Sequence, residues 1–303
     1  MPQASINIDL DTLTEDIDGE TRIIRRDELR ATTYRRVIPR FLELLDRHGL
    51  KATFFVIGRD AVDHHDVLAN IAHSGHELAN HTMTHPKQFV HLDDRAIVRE
   101  IRDCDRALKS IAGRPIVGFR APGYTVSLRV IRALREAGYR YDSSLNSSLC
   151  YYAIKTVFKA VRLRDRDYLS TQRLLEVFAP RTPYRMAADS LSRRDNGQAF
   201  IEIPISVIPY VSYPFVTALL LHFGAAPSLQ ALKMLIARRR FVNCELHINE
   251  FTDRGDIMGE DGGFYLTRQY VRIDLAQRMK YFDRLLGAIR ADCDVTLLRD
   301  VAV

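Results

Sequence analysis

Two histidines four residues apart mark the stretch of this chain best suited to chemistry. His81 and His85 stand in the segment Gly75–Pro86, which reads G-H-E-L-A-N-H-T-M-T-H-P, and His76 lies just upstream. Side chains at this spacing on a helical turn emerge on the same face, so both imidazoles can reach one point. Imidazole nitrogen is a common ligand of catalytic transition metals, which keep an open position for water. The spacing predicts a metal-binding pair, with two surface histidines as the alternative and His76 as a structural residue.

A pair of aspartates ends the first predicted strand. Asp9 and Asp11 belong to the segment I-N-I-D-L-D and fall on the same side of a strand, because side chains alternate with a period of two. The D-x-D-T pattern also occurs in phosphatases of the haloacid dehalogenase type, where Asp9 would be a nucleophile beside Mg²⁺. The late acids which that chemistry needs, Glu260 and Asp261, follow no predicted strand. That alternative also leaves the histidines without a role.

Strands and helices alternate along most of the chain with short links between them. This pattern predicts an α/β protein with a parallel sheet, most simply a barrel, whose strand ends converge on one face. The predicted strands cover residues 6–11, 52–57, 77–79, 116–119, 139–143, 200–204, 241–247 and 294–297, and the predicted helices cover 34–47, 60–73, 92–111, 127–137, 213–223, 228–239 and 271–290.

The alternation weakens in a basic, tyrosine-bearing region between Asn146 and Asn196. Regular units resume after it, so it reads as an insertion over the mouth of the site and not as a second domain. We therefore predict one domain over residues 1–303 with an insertion at about 146–196.

Charge and cysteine content narrow the classes of function. The net charge is +6 with dispersed basic residues, which argues against a nucleic-acid footprint. Four cysteines without C-x-x-C spacing favour reduced thiols, and no signal peptide precedes the first strand, so we expect a cytoplasmic protein. The longest apolar segment, Phe215–Phe223, is shorter than a membrane span, which needs about 20 residues. We therefore expect no transmembrane segment.

Five short motifs, in order along the chain, resemble those of the polysaccharide deacetylases, the carbohydrate esterases that share a NodB-like domain. They are Asp9–Asp11 (D-L-D), His81–His85 (H-T-M-T-H), Arg120–Tyr124 (R-A-P-G-Y), Asp142–Ser144 (D-S-S) and Glu245–His247 (E-L-H). Two departures stand out: the chain contains no tryptophan, and the leucine of the last motif is shifted by one position.

The resemblance implies a fold, a cofactor and a set of roles. It implies a distorted (β/α)7-type barrel of the NodB kind and one divalent transition metal bound by Asp11, His81 and His85. Zn²⁺ is the expected ion, with Co²⁺, Ni²⁺ or Fe²⁺ as alternatives. The implied catalytic residues are Asp9 as base and His247 as acid, with Arg120 keeping Asp9 ionised and Asp142 raising the pKa of the histidine acid. The implied substrate-binding residues are Pro122, Gly123 and Tyr124.

The implied reaction is removal of an N-acyl group, acetyl or formyl, from an amino sugar. A cytoplasmic protein would meet such a sugar on a nucleotide, on a lipid or in a small glycoside. The basic insertion and the apolar segment Phe215–Phe223 suit an anionic lipid-linked glycan, with peripheral membrane contact and no nucleic-acid partner. Three alternatives remain open: action on a non-sugar amide, glycan binding without cleavage, and the Asp9-nucleophile phosphatase.

Overall fold

The computed structural model describes residues 1–14, 26–161, 174–238, 241–257 and 272–301. Eleven strands lie in these residues, and short buried apolar segments form most of them. Their bounds are β1 Gln3–Asp9, β2 Thr53–Val56, β3 Glu77–Asn80, β4 Gly118–Phe119, β5 Tyr141–Asp142, β6 Tyr184–Arg185, β7 Ile201–Glu202, β8 Val207–Ile208, β9 Tyr213–Pro214, β10 Phe241–His247 and β11 Asp294–Val295.

Nine of these strands form one curled sheet. Its order is β10-β1-β2-β3-β4-β5-β7-β6, with β11 also beside β1, and β8 pairs separately with β9. Every pairing in the large sheet is parallel except that of β6 with β7. The predicted α/β class and single domain are confirmed, and the sheet curls as a half-barrel.

Helices connect the parallel strands, as right-handed crossovers require. They are α1 Arg26–Thr32, α2 Ile38–Arg47, α3 Gly58–Asp63, α4 His65–His73, α5 Asp94–Ala112, α6 Leu128–Glu136, α7 Leu149–Val161, α8 Thr217–Leu220, α9 Ala225–Arg238 and α10 Leu275–Asp292, with a π-helical turn at Thr33–Val37. The longest of these helices is α5. It begins after Asp93, whose side chain accepts a hydrogen bond from the Ala96 N–H, and it ends at Gly113, which has a φ of 62°. These are the usual start and stop signals of a helix.

The two long strands carry apolar and polar residues on opposite faces. On β1, Ile6 and Ile8 join the main hydrophobic core, whereas Asn7 and Asp9 are buried on the concave side of the sheet. The neighbouring strand β10 repeats this alternation in register, with Asp9 opposite His247. Because the strands are parallel, their carboxyl ends bring polar side chains to one edge.

The structure corrects one sequence-based expectation, and other expectations concern residues that it does not describe. The segment predicted as a helix over residues 213–223 begins as the strand β9, and of its apolar residues Phe215, Leu220 and Leu221 are buried. It therefore does not present a continuous apolar face. Glu260, Asp261 and the basic residues 162–166 lie outside the described residues. Within the described part, no helix is both long enough and apolar enough to span a membrane.

Candidate active site

Three predicted metal ligands converge where β1 and β3 end. Oδ1 of Asp11 lies 3.3 Å from Nε2 of His81 and 3.3 Å from Nε2 of His85. Two ligands bound at about 2.0–2.2 Å to one ion in tetrahedral geometry are separated by roughly this distance. Asp11 Oδ1 and His81 Nε2 are buried and have no partner with hydrogen-bond geometry among the described residues. These atoms fit a shared cation.

The loop after β3, and not a helical turn, brings the two histidines together. Thr82 and His85 have φ values of 66° and 55°, a region that non-glycine residues seldom occupy. The side chain of Asn80 accepts the Thr82 N–H at 2.7 Å, and the Thr82 hydroxyl accepts the His85 N–H at 3.1 Å. The helical reasoning for the spacing was therefore wrong, although the pair does converge.

A backbone carbonyl sets the orientation of His81. Its Nδ1 lies 2.7 Å from the carbonyl oxygen of Arg120, which can only accept, so Nδ1 carries a proton and Nε2 is the nitrogen that faces Asp11. Burial lowers the pKa of His85 to about 4, despite the nearby Asp11 carboxylate. Burial alone would raise the pKa of Asp11, but the charges of the two histidines hold it below the usual value. Burial would lower the pKa of His81, but the charges of Asp9 and Asp11 raise it. A transition metal would bind all three side chains in their deprotonated forms.

Asp9 is held by Arg120, a buried arginine that directly follows β4. Nη1 of Arg120 donates to Oδ1 of Asp9 at 2.6 Å, and its Nη2 donates to Oδ1 of Asn7 at 2.6 Å. Arg120 is fully buried, donates its Nε to the Ser143 carbonyl and stacks on Phe55 with 4.1 Å to the ring centroid. Asp9 Oδ2 faces the metal ligands at 4.0 Å from His81 Nε2.

His247 lies opposite Asp9 at the end of β10, and the carboxylate of Glu245 contacts its Nδ1. Nδ1 of His247 lies 3.1 Å from Oε1 of Glu245, which is fully buried, while the Tyr124 hydroxyl lies 3.2 Å from Nε2. The carboxylate of Glu250 accepts the His247 backbone N–H at 2.7 Å. Burial would lower the pKa of His247, but the charges of Glu245 and Asp9 raise it to about 9.

The sequence analysis missed Glu245. A detectable signal was present, because an acid two positions before the histidine on a strand must share its face. The residue expected in this role, Asp142, lies elsewhere: its Oδ1 accepts the Ser144 hydroxyl at 2.6 Å, and it pairs across β5 and β7 with Glu202. The structure thus puts Glu245, and not Asp142, beside His247.

A strained turn after β4 forms the wall next to His247. Pro122 is buried, Gly123 has a φ of 61° and Tyr124 has a φ of 59°. The ring of Tyr124 is 6.3 Å from that of Tyr151 in the first turn of α7, so the start of the predicted insertion reaches this wall. His76 is structural as expected, since its Nδ1 accepts the Ala52 N–H at 3.1 Å.

Sequence comparisons match one family. Residues 30–141 match the sequence model described as "Polysaccharide deacetylase". A chitooligosaccharide deacetylase of Rhizobium leguminosarum bv. trifolii is 45% identical over 69 residues, which are 23% of this chain and 32% of that protein. A peptidoglycan-N-acetylglucosamine deacetylase of Bacillus cereus is 30% identical over 102 residues, 34% of this chain and 47% of that protein. The chain spans less than half the length of both relatives.

A solved structure from Mycobacterium smegmatis, named as a polysaccharide deacetylase, shares the fold. It superimposes with a TM-score of 0.61 at 20% identity and covers 97% of this chain and 85% of its own. At this identity the likeness concerns the fold alone.

Proposed function

We propose that this chain, whose residues 30–141 match the polysaccharide deacetylase family, is a metal-dependent hydrolase removing an N-acyl group from an amino sugar. One observation carries the proposal. Two groups of potential ligands, one formed by Asp11, His81 and His85 and the other by Asp9, Glu245 and His247, each have their polar atoms within 4.8 Å of one another. The two groups are adjacent, because Oδ2 of Asp9 in the second group lies 4.0 Å from Nε2 of His81 in the first.

The first group is the proposed metal site, with Zn²⁺ as the expected ion. A divalent ion held by Asp11, His81 and His85 would polarise the amide carbonyl and make nearby water more acidic. A second ion in the other group is disfavoured, because the Arg120 guanidinium already lies 2.6 Å from Asp9. We therefore assign that group to proton transfer.

Asp9 and His247 act as base and acid in this proposal. Asp9, kept in place by Arg120, accepts the proton of the attacking water through the oxygen that faces the metal ligands. His247 donates its Nε2 proton to the departing amine nitrogen. Glu245 contacts Nδ1 and keeps the imidazole charged and oriented, the role that the family resemblance suggested for Asp142. The turn at residues 122–124 is the proposed substrate wall.

An N-acetylated glucosamine oligomer is the proposed substrate class, supported by the names of the two relatives. A lipid-linked or nucleotide-linked form of such a sugar in the cytoplasm is the narrower proposal. The polar side chains on the concave side of the sheet suit a hydroxyl-rich ligand better than an apolar amide.

The decisive experiment measures metal and product together. Purified protein should hold about one transition-metal ion and release acetate from N-acetylated chitooligosaccharides, and His81→Ala should lose both properties. His73→Ala is the matched control, since His73 is exposed on α4 and contacts only the carbonyl of its own helix among its described hydrogen bonds. Full activity of metal-free protein would contradict the proposal. Retention of metal without acetate release would instead indicate glycan binding without cleavage.

A further inference from the structure

Six large apolar side chains are exposed on the outer side of α7 and the segments beside it. We call them the outer apolar surface: Leu149 (51% exposed), Ile154 (43%), Val157 (61%), Tyr210 (76%), Val211 (55%) and Phe223 (58%). Scattered exposed apolar residues need no explanation, but a contiguous patch of them on a soluble domain usually marks a binding surface.

Contacts among the three segments make this surface continuous. The Leu149 N–H donates to the Ser212 hydroxyl at 3.1 Å, and the Cys150 thiol donates to the Val211 carbonyl at 3.0 Å. Next to them, the Tyr213 ring meets the Phe223 ring edge-on with 5.8 Å between centroids. The start of α7, the loop before β9 and the segment after α8 therefore lie side by side.

The loop before β9 holds its apolar residues outward in a strained conformation. Tyr210 and Ser212 have φ values of 69° and 49°. Such values are unfavourable for a bulky residue and persist only where surrounding contacts impose them. Here those contacts are the Arg238 guanidinium over the Tyr210 ring, at 5.1 Å from its centroid, and the Arg181 guanidinium, which donates to the Ser212 hydroxyl at 2.9 Å.

The segments that carry this surface contain no acidic residue. The chain has 38 acidic residues in 303, yet none occurs in residues 146–161 or 203–244. The same two stretches contain six basic residues, namely Lys155, Lys159, Lys233, Arg238, Arg239 and Arg240. An apolar surface on segments of purely positive charge complements an anionic lipid headgroup layer. A symmetric contact with a second copy would bring these positive charges together.

The outer apolar surface also lies directly behind the wall of the active site. Tyr151, in the same first turn of α7 as Leu149, faces inward to the ring of Tyr124, which contacts His247. A partner on the outer side of α7 would therefore sit close to the mouth of the site.

We propose that the outer apolar surface docks the protein peripherally on an anionic lipid bilayer, with the apolar side chains among the acyl chains and Arg238, which contacts Tyr210, at the headgroups. The docking needs no catalysis, so it stands or falls separately from the proposed reaction. It differs from the sequence-based expectation in its location, since the buried segment Phe215–Phe223 contributes only Phe223.

Vesicle sedimentation of the full chain tests this proposal. Vesicles of phosphatidylcholine with a phosphatidylglycerol fraction should pellet the protein, vesicles of phosphatidylcholine alone should pellet severalfold less, and added salt should weaken binding. Val157→Asp should reduce the bound fraction at least fivefold. Val62→Asp is the matched control, because Val62 is a valine of similar exposure, 69%, on α3.

Three results would overturn the proposal. The first is equal binding to neutral and anionic vesicles, and the second is an equal loss of binding in the Val157→Asp and Val62→Asp variants. The third is a dimer in analytical ultracentrifugation that Val157→Asp dissociates, which would assign the surface to a second copy. Thermal melting of both variants checks folding, and Val157→Ser provides a milder change if the aspartate variant does not fold.

Discussion

Two buried carboxylates at the ends of sheet strands have opposite surroundings. Glu245 on β10 lies 3.1 Å from the imidazole of His247, whereas Asp142 on β5 is paired with another carboxyl group, Glu202 on β7. Burial raises the pKa of both groups, but only Glu245 has an adjacent histidine that opposes the shift. The pKa of Asp142 rises to about 6, and that of Glu202 rises well above its usual value.

The difference shows that neighbours, and not burial, decide what a buried carboxylate does. Beside a histidine it stabilises a cation and holds a proton donor ready for use. Beside a second acid it is driven toward its neutral form, and the hydrogen bonds from Ser144 to Asp142 and from the Leu145 N–H to Glu202 hold this pair as structural groups. Four substitutions test the difference between the two carboxylates.

The largest effect on activity is expected from His247→Asn, which should lower kcat. Loss of a general acid typically lowers kcat by about 10²–10⁴-fold. The metal content should stay unchanged, because His247 belongs to the proton-transfer group and not to the proposed ligands. Steady-state kinetics with elemental analysis of the same preparation measures both quantities. A kcat within threefold of the wild-type value would remove His247 from the mechanism.

A smaller effect, visible in the pH profile, is expected from Glu245→Gln. His247 with a pKa of about 9 is protonated at neutral pH, so acid catalysis is present below this pKa and lost as the pH rises through it. An amide cannot stabilise the imidazolium, so the alkaline limb of kcat/KM should move to lower pH by about one unit or more.

Asp142→Asn is the comparison for that shift. Whatever this substitution does to kcat, it should leave the alkaline limb at the wild-type pH, since Glu245 is the carboxylate next to His247 Nδ1. An alkaline limb that moves in Asp142→Asn and stays in Glu245→Gln would reverse the two roles.

The smallest effect is expected from Glu202→Gln, which should change how the free energy of unfolding depends on pH. A carboxyl group whose pKa is raised in the folded state stabilises the fold only at low pH. For Asp142 this stabilisation is lost as the pH rises from the unfolded pKa of 3.8 through the folded pKa of about 6. The wild-type free energy of unfolding should therefore fall over this range, by about 1–3 kcal/mol from the pair. Glutamine can donate to Asp142 as a protonated glutamate does, so the fall should be smaller in the variant. Urea unfolding at pH 4.5 and 7.5 measures it, and identical pH dependence in both proteins would contradict the neutral form of the pair.

Sequence reasoning predicted the strands that carry the site better than the segments between them. β10 was predicted with its observed bounds, because the alternation of apolar and polar residues along a strand is readable from the sequence. The prediction of one helix over residues 213–223 was right only in part: the segment begins as the strand β9 and becomes helical from Thr217, because a short apolar run is compatible with either and only packing distinguishes them. The family resemblance drawn from five motifs is confirmed by the match over residues 30–141.

Several features of the site follow from the sequence alone. The period of two predicts Asp9 and Asp11 on one face, and the family resemblance implies the grouping of Asp11, His81 and His85 without coordinates. Whether the carboxylate of Asp142 or that of Glu245 serves His247 depends on the tertiary structure. Asp142 ends β5, Glu245 lies two residues before the end of β10 in the same sheet, and their separate roles depend on the distance across its curled, concave side. Local sequence does not encode that distance, because the packing of the whole sheet sets it.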